Sequence, residues 1–275
     1  MYMFSVLILV KNRPDHLANV IAGLEQSTLQ PGEIVVVHMN EEPYNISSRV
    51  PLHSHKLISS SSLPLAEARN KAASLAMYDQ LLFLDVDCIP AADTCAQLLE
   101  SLDNYGLVMA QPKYLSQKLS QPEAVQLEQL ADMAEPAKSR SHLSHGPNTD
   151  YTMFWTLGFA IKRQDFNTIG GFDETYTGYG AEDTDFAYMA RDKGVSLFYS
   201  SAVVYHQYHS SYMPPLNHLQ DIVQNSQTFY AKWNEWPMTG WLHAFEKDGY
   251  ISMHDGRIDI LRLPSQSEID SCLVR

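Results

Sequence analysis

Cysteine is scarce in this chain. Its three cysteines in 275 residues, Cys88, Cys95 and Cys272, are odd in number and have no close-spaced pair. They make neither a disulfide framework nor a zinc site, and a reducing cytoplasm is the compartment that fits. Long hydrophobic runs are also missing. The most apolar stretch, MYMFSVLILV, carries no basic leader or small-residue cleavage site, and Lys11 ends it far short of a membrane span. It reads as a buried strand, and no transmembrane segment is expected. Basic residues are few: 19 Lys and Arg against 32 Asp and Glu give a formal charge of −13. With no long basic run, a nucleic-acid partner is excluded as the expectation. A nucleotide is not, because one or two basic residues and a metal can hold it. There is no H-E-x-x-H and no tight histidine cluster of the kind a zinc hydrolase needs. No internal repeat is present.

Through the first 110 residues, short aliphatic runs alternate with amphipathic stretches. This is the pattern of an α/β fold with a mostly parallel sheet and helices on both faces. Strands are predicted at 4–10, 33–39, 55–60, 80–87 and 106–112. Helices are predicted from Asn12, as cap, to Leu24, then at 64–77 and 92–102. Residues 113–150 are polar, with one helical stretch near 123–135; part of 139–152 is expected to be a mobile loop. Strand character returns at 152–162, a helix follows at 181–193, and VSLFYSSAVVYHQYH (195–209) supplies two short strands. A long amphipathic helix is predicted at 218–236, and the residues after Trp241 form a poorly patterned extension. The expected division is a catalytic domain over 1–210 and a helical extension over 211–275 packed on it.

Acids concentrate in two places. GYGAEDTDF (178–186) sets Glu182, Asp183 and Asp185 after a glycine-rich turn. An ordinary helix start explains acids there, since they complement the positive end of the helix dipole; so does a cation or a hydroxyl-rich ligand that absorbs their repulsion. The other place is Asp85-Val86-Asp87, at the end of the apolar run QLLFL. In open α/β sheets ligands bind beyond the carboxyl ends of strands. Alternate residues of an extended segment share a face, so Asp85 and Asp87 present oxygens together, a set that suits Mg²⁺ or Mn²⁺. Most of the eleven histidines read as structural, but His206 ends the run AVVY and His209 lies three positions on. An imidazole from one of them would tilt the site toward Mn²⁺.

Five pieces then occur in one order: VLILVKNRPDHL (6–17), EIVVVHMNE (33–41), AEARNKA (66–72) leading to LFLDVD (82–87), GFAIKRQDFNTIGGFDETYTGYGAEDTDF (158–186), and VVYH (203–206). Together they resemble the family 2 glycosyltransferases of the GT-A fold. The GGFDE…GYGAED portion resembles the catalytic region of β-1,4-galactosyltransferases and chondroitin-type polymerases. The resemblance covers roughly residues 4 to 210. It implies a Rossmann-like, mostly parallel sheet, a nucleotide-sugar donor of UDP type, a glycan or glycolipid acceptor and a divalent cofactor, Mn²⁺ or Mg²⁺. A cytoplasmic enzyme with room for peripheral membrane contact is the corresponding expectation. It also implies roles. Asp87 and His206 would ligate the metal, and Asp85 would lie close to the donor's ribose or sugar. Lys11 and Arg13 would face the nucleotide and its diphosphate, Arg69 would contact donor or metal-site acids, and Gly158 would let the donor sugar approach closely. Asp183 would be the general base and Glu182 would hold substrate hydroxyls. Where relatives carry an acidic pair after the second strand, this chain reads HMNEE, which leaves Asn40 or Glu42 for the base and ribose.

The implied reaction is a single displacement with inversion. Two rivals share the same residues: a metal-dependent hydrolase of phosphate or sugar esters, and a catalytically silent nucleotide-sugar binding module. Retention of both Asp87 and Asp183 speaks against the second, since binding alone needs no base.

Overall fold

The computed structural model describes residues 3–119, 125–137 and 142–274. β1 (Phe4–Val10) pairs in parallel with β2 (Glu33–Met39) on one side and with β4 (Gln80–Asp85) on the other, and β3 (Leu52–Leu57) extends the sheet beyond β2. Past β4 come β9 (Gly158–Lys162), antiparallel to both its neighbours, then β6 (Leu107–Leu115), β10 (Leu197–His206) and β5 (Cys88–Pro90), giving the order β3-β2-β1-β4-β9-β6-β10-β5. β7 (Ala134–Pro136) adds to β6, and β8 (Gly146–Asn148) adds to β10. The sheet is mostly parallel, as expected. The chain leaves β1 toward β2 and β3 and returns to β4 on the other side of β1, so the ends of β1 and β4 form a switch point, where such sheets bind ligands.

The strands read as unbroken apolar runs because both faces of the sheet are covered. In β1, Phe4, Val6, Ile8 and Val10 face a core shared with α1 (Pro14–Leu24) and α3 (Thr94–Leu102); Leu7 and Leu9 face a second core with α2 (Leu65–Leu75), α5 (Arg163–Ile169) and α6 (Glu182–Asp192). The second core is rich in phenylalanine. Phe172 stacks on Phe186 at 4.2 Å between centroids and Phe83 on Phe159 at 4.6 Å, which fixes the GGFDE turn and the start of α6 against the central strand.

Several elements differ from the sequence expectation, each for a local reason. Asn12 does not cap α1: it adopts φ 55°, its N–H donates to Glu41, and Arg13 stands at the cap with Pro14 in the first turn. The strand expected at 55–60 is shifted to Leu52–Leu57, because the Ser59 N–H is taken by the Asn40 side chain instead of a ladder partner. The strand expected at 152–162 begins only at Gly158; Asp150 accepts from the Thr152 N–H and starts a single tight turn over Tyr151–Met153. Within residues 195–209 there is one strand, β10, rather than two, with its irregularity between Tyr199 and Val203, where the Ser200 hydroxyl accepts from the Ala202 N–H. Of the loop expected to move, residues 139–141 lie outside the described residues, while Gly146–Asn148 pairs with β10. The short α4 (Leu127–Met133) lies within the helix expected near 123–135.

Residues 211–274 are built from short elements. Short β11 (Ser211–Tyr212) precedes α7 (Leu219–Trp233) and α8 (Thr239–Lys247), then a hairpin of β12 (Ile251–His254) and β13 (Arg257–Ile260), α9 (Gln266–Ser271) and β14 (Leu273–Val274), which pairs with β11. A capping box between Ser265 and Glu268 starts α9. These elements share a core of Leu219, Ile222, Leu242, Phe245, Tyr250 and Ile258. Among the described residues, no helix is long and apolar enough to cross a membrane.

Candidate active site

Three strand ends converge on Asp87. The chain turns after Asp85, and Asp87 lies 8% exposed between the ends of β1 and β10. Its Oδ1 is 3.7 Å from His206 Nε2 and its Oδ2 3.4 Å from His209 Nε2; Arg13 Nη1 donates to Oδ2 as well. Burial alone would raise this carboxyl's pKa, but the His209 hydrogen bond and the charges of His206 and Arg13 hold it well below the ordinary range. Burial lowers the pKa of His206 despite the charge of Asp87. Asp87, His206 and His209 can each offer one atom within 4.8 Å of the others. His209 is the residue that sequence reasoning left aside in favour of His206. Its signal was the H-x-x-H spacing, which a turn beyond β10 folds back onto the same carboxylate.

Gln207, between the two histidines and 3% exposed, fastens this turn. Its backbone N–H donates to Asp87 O at 2.6 Å, its Nε2 to His16 O and Val86 O at 3.1 and 3.4 Å, and its Oε1 accepts from Asn19 Nδ2 at 2.7 Å.

A second group centres on Arg69, which is 3% exposed on α2. Its guanidinium donates to Glu182 Oε1 at 2.9 Å, Thr156 Oγ1 at 2.8 Å and Asp85 Oδ1 at 3.5 Å, and it lies over the Phe172 ring at 5.1 Å. One buried cation thus joins the end of β4 to the first turn of α6. Asp85 is pushed up to about 7, by burial first and by the charges of Asp87 and Glu182, with Arg69 opposing. Asp183 is pushed up to about 6, by burial and then the charge of Glu182, against Arg69 and the Thr184 N–H, which its Oδ1 accepts at 2.7 Å. The phenol of Tyr179 is held above its ordinary value by burial and by the charges of Glu182, Asp183, Asp85 and Asp87. Ala181, the residue before this helix, is buried at φ 71°, a left-handed conformation costly for a non-glycine residue.

The third acid, Asp185, is a packing residue. It is 1% exposed and accepts from Trp233 Nε1 at 2.7 Å, Lys232 Nζ at 2.9 Å and the Tyr176 hydroxyl at 3.1 Å.

The remaining sequence candidates are placed differently. Lys11 Nζ donates to Ser62 O, and Asn40 spends its amide on Ser61 O and the Ser59 N–H, at 2.8 Å each. Both side chains are therefore engaged by the loop before α2 and not by the acids. Glu42 pairs with Lys56 at the surface, while Glu41 reaches the end of β1 through the Asn12 N–H at 2.8 Å. Glu41 is thus the acid of HMNEE nearest the strand ends that carry the site. Gly158 turns its bare side to the core: an added Cβ would meet Val204 at 3.0 Å and Ala110 and Leu84 at 3.4 Å. Packing between strands accounts for that glycine.

Comparison with known proteins gives three findings. A family model described as glycosyltransferase like family 2 matches residues 33–221. A validoxylamine A glucosyltransferase of Streptomyces hygroscopicus subsp. jinggangensis is 41% identical over 44 residues, which are 16% of this chain and 10% of that protein, so the chain matches about a tenth of the length of this curated relative. Among solved structures, GalNAc-T7 with UDP, GalNAc and Mn²⁺ superposes with a TM-score of 0.58 at 17% identity, over 90% of this chain and 54% of that one. S. aureus TarS 1-349 superposes with a TM-score of 0.53 at 15% identity, over 82% of this chain and 64% of that one. These likenesses show the GT-A fold.

Proposed function

As the chain belongs to the glycosyltransferase like family 2, we propose that it transfers a hexose or N-acetylhexosamine from a UDP-sugar to a hydroxyl of a sugar acceptor, with inversion. The observation that carries this reading is a pair of chemically distinct groups at the two acids of Asp85-Val86-Asp87, one centred on Asp87 and the other tied to Asp85 through one buried arginine. Asp87, His206, His209 and Arg13 form the first; Glu182 and Asp183 form the second, joined by Arg69 to Asp85.

The first group fits a divalent cation. One ionised carboxylate and two imidazoles within 4.8 Å match the preferences of Mn²⁺ better than those of Mg²⁺. Asp87, His206 and His209 would hold it, and when bound it would neutralise charge growing on a diphosphate leaving group. GalNAc-T7, of the same fold, was solved with UDP and Mn²⁺, which supports the assignment. Arg13, which donates to the Asp87 carboxylate, would bind phosphate oxygens beside the cation. In the second group, Asp183 takes the proton of the attacking acceptor hydroxyl, and Glu182, oriented by Arg69, accepts hydrogen bonds from substrate hydroxyls. One base on the acceptor side corresponds to a single displacement, hence inversion.

Calorimetric titration of UDP with and without Mn²⁺ tests the donor side. UDP is expected to bind more tightly with the metal, and His206→Ala and His209→Ala should each weaken the metal-dependent part by about tenfold, a typical loss for one ligand interaction of about 1.4 kcal/mol. Equal UDP affinity with and without Mn²⁺ would remove the metal from the account.

The raised pKa of Asp183 sets a pH limit. A base must be ionised, so kcat/KM should fall with an acid limb near pH 6 as Asp183 protonates, while metal-dependent UDP affinity is followed separately at each pH. An acid limb at the ordinary aspartate value would contradict the environment described for this carboxyl.

A further inference from the structure

Helix α7 belongs to the part of the chain that none of the strand-end motifs includes, yet it holds the loop from which α6 starts. Asn225, 1% exposed, directs Nδ2 to the carbonyls of Thr177, Tyr179 and Gly180 at 3.0, 3.3 and 2.9 Å. An amide nitrogen has two hydrogens, so the three carbonyls share them, and the reversed amide would set an oxygen against three oxygens. Asn225 Oδ1 has no partner among the described residues, so this position is occupied for donation rather than for full satisfaction. One turn earlier, Asp221 accepts from the Tyr179 N–H at 3.3 Å. The approach is close enough that a Cβ on Gly178 would lie 2.3 Å from Asp221 Cγ, and one on Gly180 2.6 Å from Met238 Sδ. Farther along α7, Phe229 packs with Tyr176, Ala181 and Tyr188, and Lys232 and Trp233 hold Asp185.

We propose that Asn225 is a positioning residue for the acceptor side of the site: by gathering three loop carbonyls it fixes the left-handed turn at Gly180–Ala181, and with it the direction in which Glu182 and Asp183 leave the first turn of α6. The inference rests on the reading of Asp183 as the acceptor-side base. It gives the C-terminal elements a defined part in the reaction. The donor side, built on β1, β4 and β10, is held by Gln207 and Asn19 instead, so the two halves of the site have separate supports.

The test uses Asn225→Ala and Asn225→Ser with three readouts. The midpoint of the Asp183 carboxyl, followed by carbon NMR and assigned with Asp183→Asn, should fall by about one pH unit as the loop relaxes toward solvent. UDP affinity in the presence of Mn²⁺ should stay within about twofold of the parent. UDP release from UDP-sugars with mixed sugar acceptors should drop more than about tenfold, the scale of losing one well-placed interaction. A parental midpoint together with parental UDP release would overturn the proposal. Should both variants fail to fold, amide exchange in the parent decides: peptides covering 176–186 and 219–233 should open together, and a loop that exchanges freely while α7 stays protected overturns it. The NMR and exchange readouts do not require Asp183 to act as a base. Full turnover in Asp183→Asn would therefore sink the functional reading while leaving the positioning contact testable.

Discussion

Replacing Asp183 by asparagine is expected to leave metal-dependent UDP binding near the parent value while turnover falls by about 10²–10⁴, the usual contribution of a general base. The amide preserves shape and still accepts the Thr184 N–H, but it cannot take a proton. The same variant should gain stability, and the sign follows from linkage. The folded pKa of Asp183, about 6, lies above the ordinary 3.8, so ionising it opposes folding. That penalty is absent below the ordinary value, grows as pH rises through the interval and is complete above it. A shift of two units corresponds to roughly 3 kcal/mol, and partial exposure of the group reduces the expected gain to about 1–2 kcal/mol at pH 8. Urea unfolding at pH 8 and pH 4 checks this: the Asn variant should be the more stable at pH 8, with most of that advantage gone at pH 4. A variant that kept its turnover would take Asp183 out of the mechanism.

Arg69→Met should cost the most stability of any single change in the site. The guanidinium is the common partner of Glu182, Asp85 and Thr156, and its removal leaves buried acids without their cation. Breaking a buried ion pair from one side typically costs about 3–5 kcal/mol. The loss should depend on pH. Without Arg69, the already raised pKa values of Asp85 and Asp183 rise further, so both acids are protonated at pH 5 and the penalty shrinks there. Denaturant midpoints at pH 8 and pH 5 provide the measurement. Adding Glu182→Gln should restore part of the loss at pH 8, because it removes the acid closest to the missing charge. Equal destabilisation at both pH values would mean that Arg69 acts through packing on Phe172 alone.

The parts of the fold legible in the sequence were those written as continuous runs. FSVLILV and EIVVVHM are central strands covered on both faces, and their bounds match the apolar stretches residue for residue. Strand ends were legible for the same reason at Asp85 and His206, but the strand expected to run on to Asp87 stops at Asp85, and the turn after it sends Asp85 to Arg69 and Asp87 to the histidines instead of presenting both acids on one face. What escaped was set by single side chains acting on backbone. Asn40 pulls Ser59 out of the ladder, and the Ser200 hydroxyl marks the irregular register in β10. Neither leaves a periodic trace. His209 was ambiguous because it lies past the strand, where alternation no longer predicts direction. Thr156, Gln207 and Asn225 were not legible at all, since a polar residue that bonds a distant partner looks in sequence like any solvated one. The C-terminal elements are short, and their apolar positions serve a small separate core, so no single stretch carried enough pattern to be read.

The central claim is that a sugar moves to an acceptor hydroxyl with help from a donor side and an acceptor side that are chemically distinct. It is tested most directly by following UDP, free sugar and product anomeric configuration by NMR, with UDP-sugars and Mn²⁺ in the presence and absence of mixed sugar acceptors. The account predicts UDP release that depends on acceptor, little free sugar, and a product whose anomeric configuration is opposite to the donor's. UDP or sugar released equally without acceptor would indicate a hydrolase, and retained configuration would contradict the role given to Asp183.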